Sequence, residues 1–250
     1  LDPVVVSATR NEERAFDLPM SVDAITRDEI QEGKARVNVS EVLNRAPGTF
    51  VQNRENFAQE LQITIRGFGA RSQFGTRGIK LIADGIPAST PDGQGSPGVF
   101  DLGSADRIEV LRGPFSALYG YHSGGVVQVF SESGTAPPTL TPDLALGSYG
   151  FQRYGLKGGG ISGAFNGMAS ASYFSVDGYR EHSAARKAQF NTKLAYDLNP
   201  TNRLTLVATG FDQPNAQDPL GLTQAQVQQD RRQAQPVAIA FNTRRSLDNM

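Results

Sequence analysis

Between Ala188 and Leu198 the side chains alternate. Ala188, Phe190, Thr192, Leu194, Tyr196 and Leu198 fall on one face of an extended segment; Gln189, Asn191, Lys193, Ala195 and Asp197 fall on the other. After the turn residues Asn199-Pro200-Thr201-Asn202, Leu204, Leu206 and Ala208 interleave with Thr205, Val207 and Thr209. Leu144 to Tyr149, Phe151 to Gly158 and Phe165 to Val176 are weaker strand candidates, broken by glycines. Strands of about ten residues with one apolar and one polar face suit a transmembrane β-barrel. They also suit a soluble β-sandwich, and periodicity alone does not separate the two. Tyr149, Tyr154, Tyr173, Tyr179 and Tyr196 fall mostly towards strand ends, where an aromatic girdle would sit. The chain after residue 137 suffices for about five or six strands, and an open barrel leaves two edges that hydrocarbon cannot satisfy. Either the sheet is soluble or these are the first strands of a longer barrel. The closing run Ser246-Leu247-Asp248-Asn249-Met250 carries no strand-ending signal, which favours a fragment. A start at Leu1 rather than Met likewise reads as a trimmed chain.

Composition removes several functions. The 250 residues hold 24 Lys+Arg against 25 Asp+Glu, so the basic excess of a general nucleic-acid binder is absent. There is no cysteine, which excludes disulfides, zinc–thiolate sites and cysteine nucleophiles, though not an oxidising compartment. The two histidines, His122 and His182, cannot build a multi-histidine metal site. No apolar run approaches the roughly 20 residues of a membrane-spanning helix.

Before Thr135-Ala136-Pro137-Pro138 the pattern is different: short helices and short strands alternate, as in a small α+β domain. Thr26-Arg27-Asp28-Glu29 fits a capping box. Val39, Val42, Leu43 and Ala46 share one helix face, stopped by Pro47-Gly48. Leu61 to Ile65 alternates as a strand. Ile79 to Ala83 reads as another, closed by Asp84-Gly85 and followed by Ile86-Pro87. Ile108 to Leu111 is a third. Pro114 suits the first turn of a short helix carrying Ala117, Leu118 and Tyr119. Val126 to Phe130 is almost wholly apolar and is expected to be buried on both faces.

Catalytic and cofactor signatures are missing. There is no Walker pattern, and Gly67-Phe68-Gly69 lacks the third glycine of a dinucleotide fingerprint. His122-Ser123-Gly124 lacks nucleophile-elbow spacing. Asp92-Gly93 lacks the acidic ladder of a calcium loop. The reading is therefore not an enzyme, with no cofactor and no resident metal. Two features invite a binding role instead. Val4-Val5-Val6-Ser7-Ala8 is a short β-prone run near the N-terminus, suited to strand addition onto a partner. Arg66 and Arg112 each close a strand end beside a glycine, and guanidinium groups pair carboxylates in bidentate fashion.

Several segments resemble TonB-dependent outer-membrane receptors. Asp2-Pro3-Val4-Val5-Val6-Ser7-Ala8 is similar to their TonB box. Leu43 to Gly48, Ile65 to Phe68 and Leu81 to Pro87 resemble their plug domain. So does the block from Arg107 to Gly120, followed by Gly124-Gly125-Val126-Val127. The resemblance implies an α+β plug, a mixed sheet with short helices, followed by antiparallel strands of an incomplete transmembrane β-barrel of 22 strands. Residues 1–8 would be the TonB box, 9–137 the plug and 138–250 the start of the barrel.

What the resemblance implies about function is energised import of a scarce metal chelate, most simply a ferric siderophore, across the outer membrane of a Gram-negative bacterium. Partners would be TonB with its inner-membrane energising complex, the metal chelate and outer-membrane lipid, with no nucleic acid. Arg66 and Arg112 would latch the plug to glutamates of the barrel wall. Arg54, Arg71, Ser72, Gln73, Phe74, Ala88, Ser89 and Thr90 fall at the family's ligand-contacting plug positions. Pro3 stands where the family often has Thr, which removes one backbone donor from pairing with TonB. Cobalamin, copper or oligosaccharide cargo fits the same mechanism. A secreted or periplasmic β-sandwich binding module is the rival from another class. Thr223 to Ala234 reads as a helical piece of an external loop.

Overall fold

A computed structural model describes residues 5–6, 13–18, 20–72, 75–90, 92–120 and 122–249. The chain divides into two compact units, residues 1–53 with 60–132 and residues 54–59 with 133–250.

The first unit opens with β1 (Val5–Val6) paired to β2 (Glu13–Arg14). Then come β3 (Val22–Thr26), α1 (Arg27–Gln31), α2 (Ser40–Leu43), β4 (Thr49–Gln52), β5 (Gln62–Ile65), β6 (Ile79–Ala83), β7 (Ile86–Pro87), β8 (Ala105–Arg112), α3 (Ser116–Tyr119) and β9 (Gly125–Ser131). Its main sheet runs β3-β8-β9-β6-β7, antiparallel except for the β6–β9 pair, and β4–β5 form a separate hairpin. The apolar run of β9 lies at the centre of that sheet and is buried from Gly125 to Val129.

Local chemistry explains the short elements. The Thr26 amide donates to Glu29 Oε2 at 2.9 Å, completing the expected capping box. Val39, Val42, Leu43 and Ala46 are each at most 2% exposed, although the helix itself is one turn. The Glu41 carboxylate starts that turn by accepting from the amides of Arg36, Val37 and Asn38 at 2.7–2.9 Å. Leu43, Ile63, Ile65, Ile79, Leu81 and Ile108 fill one core, and each side chain so buried contributes about 1.5–3 kcal/mol. Asp84 and Gly85, with φ of +46° and +85°, make the left-handed two-residue turn between β6 and β7. At Gly125 a Cβ would fall 2.1 Å from the Leu111 carbonyl, so only glycine lets β8 and β9 approach there.

Two expectations shift. β8 starts at Ala105, three residues before the apolar run at Ile108. Pro114 lies outside α3, which starts at Ser116. The Phe115 carbonyl, accepting from the Leu118 and Tyr119 amides, starts the turn instead.

The second unit is an up-and-down meander of β10 (Thr139–Leu146), β11 (Gln152–Ser162), β12 (Phe165–Val176), β13 (Ala185–Asn199), β14 (Asn202–Gln217) and β15 (Arg244–Asn249). α4 (Gln224–Gln229) and α5 (Pro236–Ala240) interrupt the loop between β14 and β15. The expected helix over Thr223 to Ala234 thus ends at Gln229, and a second starts at Pro236. β10 sits earlier than the expected Leu144 to Tyr149, because Tyr149 and Gly150 turn the chain with φ of +59° and +70°.

The sheet is inside out relative to a soluble protein. Leu140, Leu144, Leu156, Phe165, Phe190, Tyr196, Leu204 and Leu206 lie on one face, each at least 42% exposed. Arg153, Ser170, Lys187, Gln189, Asn191 and Gln213 lie on the other and are buried. Arg153 ion-pairs with Asp143 at 2.5 Å on that polar face. Exposed aromatics cluster near the strand ends. Tyr149 meets Tyr179 edge to face at 5.3 Å, and Tyr154 pairs in register with Tyr173. At the opposite end Phe165 pairs with Tyr196. Tyr173 lies eight positions after Phe165 in β12, about 27 Å along the strand or roughly 20 Å after barrel-like tilt.

Candidate functional site

The arginine pair converges. Arg66 follows β5 with φ of +50°; its amide donates to the Gly48 carbonyl at 2.8 Å and its Nη2 to Ser21 Oγ at 3.2 Å. Arg112 closes β8; its Nη2 lies 2.5 Å from Asp23 Oδ2 and its Nη1 donates to the Pro47 carbonyl at 2.7 Å. Two strand ends therefore aim at one neighbourhood, the start of β3 and the Pro47-Gly48 turn. Within the described residues, the carboxylate facing Arg112 is Asp23 of its own unit. The Arg112 Nε is buried and has no hydrogen-bond acceptor among the described residues.

A second feature of this unit is a cavity of about 510 Å³, lined by Arg77, Lys80, Ser89, Thr90, Asp92 and His122 with neighbouring Gly and Pro residues. The β6–β7 turn sends the chain back to this end, where Thr76 and Ser89 both bridge to Gly95. Arg77 Nη2 sits 3.1 Å from Asp92 Oδ2, and the Thr90 hydroxyl donates to Asp92 Oδ1. The Thr90 hydroxyl, then the Gln94 amide and Arg77, hold the Asp92 carboxyl below its usual range against a smaller opposing effect of burial. Burial first, and the Lys80 charge second, push His122 down; a backbone hydrogen bond with Tyr119 opposes them. Asp92 thus stays ionised at neutral pH, and His122 favours its neutral form there.

The expected ligand residues are only partly gathered. Ser89 and Thr90 line this cavity. Ala88 packs against the core, and its amide donates to the Leu81 carbonyl at 2.9 Å. Arg71 is exposed, and Ser72 Oγ donates to the Gly75 carbonyl at 2.8 Å. Gln73 and Phe74 lie outside the described residues. Arg54 belongs to the second unit, where its Nη1 donates to Gln59 Oε1 at 2.9 Å. Sequence reasoning missed Arg77, Lys80, Asp92 and His122 as cavity residues. Lys80 carried a signal, since it alternates with the apolar Ile79 and Leu81 in β6. Of the N-terminal segment, Val5–Val6 pairs with Glu13–Arg14, whereas Asp2, Pro3, Val4, Ser7 and Ala8 lie outside the described residues.

A polar-cored sheet with an apolar exterior follows a mixed α+β unit, and residues 14–127 of the chain match the TonB-dependent Receptor Plug Domain family. The chain carries a TonB-dependent receptor plug domain. It is a plug with mixed sheet and short helices, followed by antiparallel strands that form part of the receptor barrel. Over 148 residues, 59% of this chain, it is 30% identical to the vitamin B12 transporter BtuB of Vibrio vulnificus, of which it covers 23%. Over 127 residues it is 30% identical to a hemin receptor of Yersinia enterocolitica, covering 50% of this chain and 17% of that one. Among solved structures, the ferric citrate transporter FecA in its unliganded form shares the fold with a TM-score of 0.71 at 24% identity, covering 88% of this chain and 35% of that one. The pyoverdine outer membrane receptor FpvA of Pseudomonas aeruginosa gives 0.72 at 23% identity, covering 84% and 30%. The chain spans a quarter or less of these two curated relatives. The relatives named here are receptors and transporters.

Proposed function

We propose that this chain is the plug and first wall strands of an outer-membrane receptor importing a scarce metal chelate, most simply a ferric siderophore, under power supplied by TonB. The observation that carries the reading is the inverted sheet, whose leucines and aromatics are exposed while Arg153, Lys187 and Asn191 are buried. Such a surface is stable against lipid, and an up-and-down meander with a polar inner face is how a β-barrel wall is built. A β-sandwich places its apolar faces inward, so the rival binding module has the opposite burial pattern.

In this reading residues 1–8 are the TonB box, 9–137 the plug and 138–250 the opening of the barrel. TonB adds a strand to the Asp2 to Ala8 segment and pulls; the cargo crosses without chemical change. Arg66 and Arg112 latch the plug, and the Nε of Arg112, which meets no acceptor among the described residues, leaves a donor for a wall carboxylate. Ser89 and Thr90 contact cargo in the 510 Å³ cavity, where Arg77 and Lys80 add positive charge for carboxylate or catecholate oxygens. Arg54 and Arg71 are the remaining exposed guanidinium groups of the ligand set; Ser72, Gln73 and Phe74 follow Arg71 in sequence, and Ala88 precedes Ser89.

The test is uptake of labelled ferric chelates, cobalamin and hemin by cells expressing the full-length receptor, against a Val5→Pro variant. One ferric chelate that accumulates only with the unaltered N-terminus, while surface binding persists in the variant, supports both cargo class and energy coupling. Equal uptake by both overturns the TonB-box assignment. Uptake of cobalamin or hemin alone moves the cargo and leaves the mechanism.

A further inference from the structure

Segment 54–59 is held within the second unit by side chains rather than by a strand ladder. The Asp218 carboxylate accepts from Asn56 Nδ2 at 2.8 Å and from Gln59 Nε2 at 3.3 Å. Gln59 Oε1 accepts in turn from Arg54 Nη1 at 2.9 Å. Gln213 Nε2 donates to the Phe57 carbonyl at 2.9 Å, and the Phe57 ring meets Phe174 with centroids 4.9 Å apart.

Asp218 is itself braced. Its Oδ1 also accepts from the Leu220 amide at 2.9 Å, its own amide donates to the Thr243 carbonyl at 2.9 Å, and its carbonyl accepts from Thr243 Oγ1 at 2.7 Å. The Arg180 guanidinium ties down the next residues, donating to Leu220 O at 2.7 Å, Pro219 O at 3.2 Å and Gln233 O at 2.9 Å. His182 Nε2 reaches Thr243 O at 2.8 Å. The loop between β14 and β15 is therefore cross-tied at its root to the loop between β12 and β13, and one carboxylate projects from that root onto segment 54–59.

A carboxylate suits this position because it offers acceptors only, on two oxygens, to two amide donors and a backbone N–H. Asparagine there has one acceptor oxygen and would turn an NH2 towards an NH2. Gln59 then works as a directed relay. Its donor end is committed to Asp218, which leaves its oxygen facing Arg54 and fixes where the exposed guanidinium stands.

We infer that Asp218 is a positioning residue for ligand contact: it clasps segment 54–59 and, through Gln59, aims Arg54. The inference rests on the proposed reading of Arg54 as a ligand contact.

The experiment uses the full-length receptor with Asp218→Ala, Asp218→Asn, Asp218→Glu and Arg54→Ala, plus the Arg54→Ala/Asp218→Ala double variant. Hydrogen exchange of the amides in residues 54–59 is read first, without any chelate. Asp218→Ala is expected to accelerate it about tenfold or more, with core strand β5 unchanged and partial rescue by Asp218→Glu. Unchanged exchange in residues 54–59 overturns the clasp. Exchange that rises equally in β5 means general unfolding and also overturns it. Uptake of radiolabelled ferric citrate and ferric pyoverdine is read second. Asp218→Ala is expected to raise the half-saturating concentration about tenfold at unchanged maximal rate, and to add nothing in the Arg54→Ala background. Additive losses overturn the relay to Arg54. If the unaltered receptor takes up neither chelate, the proposed cargo class has failed, and the exchange arm still decides the clasp.

Discussion

Removing Arg112 is the sharpest test of what holds the edge of the plug sheet. Among the described residues β3 is an edge strand, paired with β8 alone, and Arg112 crosses from the end of β8 to Asp23 in β3. The two side chains are 14% and 26% exposed, so the pair is mostly but not wholly out of water. At an effective dielectric near 20, charges about 4 Å apart attract by roughly 4 kcal/mol before desolvation. Truncating one partner of a fully buried pair costs about 3–5 kcal/mol, and the residual exposure of Asp23 brings the expectation for Arg112→Ala to about 2–3 kcal/mol. The Pro47 carbonyl, 2.7 Å from Nη1, loses its donor in the same step. Arg112→Lys should cost less, about 1–2 kcal/mol, because one ammonium cannot keep the forked geometry that reaches both acceptors. The assay is hydrogen exchange of the β3 amides in the full-length receptor, with the β10–β14 amides as internal reference. A loss of 2–3 kcal/mol corresponds to exchange about 30- to 150-fold faster in β3. Exchange in β3 within about threefold of the unaltered receptor would refute the reasoning and leave the Asp23 contact without energetic weight.

Two further expectations follow from the same physics. The Thr26 amide, then Arg45 and the Thr26 hydroxyl, lower the Glu29 carboxyl against opposing burial; its contribution is therefore complete above the unfolded value of 4.5 and lost as pH falls through the depressed folded value, so acidification below about pH 4.5 should lower the protection of the α1 amides, read as exchange relative to the intrinsic rate at each pH, in the native chain and much less in Glu29→Gln. On the exposed face of the wall, Leu156→Arg should cost about 2–4 kcal/mol and reduce the amount of receptor assembled in outer membranes, measured by heat-modifiable gel mobility, whereas an unchanged yield would argue against lipid contact at Leu156.

Features decided by neighbours along the chain are legible in the sequence itself. The Thr26–Glu29 box, the Asp84-Gly85 turn and the alternation in β5 each depend on residues within a few positions, and β12 has the bounds that its pattern predicts. Boundaries shift where a carbonyl or a backbone turn, rather than a residue type, decides them. Pro114 looks like a helix start, yet Phe115 supplies the first acceptor. β10 runs over Pro142, which an edge position tolerates because one side of the strand lacks a neighbour among these strands. The sites are less legible than the fold. Nothing near Arg112 in sequence points to Asp23, and nothing near Gln59 points to Asp218, because each contact joins residues that lie far apart along the chain. The cavity is half visible: Ser89 and Thr90 are expected ligand positions, while Asp92 and His122 stand in motifs that fail as a calcium loop and a nucleophile elbow.

The order of strands in the plug sheet also sets its mechanical response. Val22, at the start of β3, lies level with Leu111 in β8 and Val126 in β9, while Thr26 lies level with Arg107 and Phe130. The chain enters this sheet at the Val22 end of β3 and leaves it at the Ser131 end of β9, the opposite end of the strands. Tension applied before β3 and resisted after β9 therefore runs parallel to the strands and perpendicular to their hydrogen bonds. The β3–β8 bonds are loaded together in shear, not peeled one after another from an end. A pull from the N-terminus meets its stiffest resistance at this seam, and anything that yields more softly, such as the two-residue pairing of β1 with β2, should give way before it does.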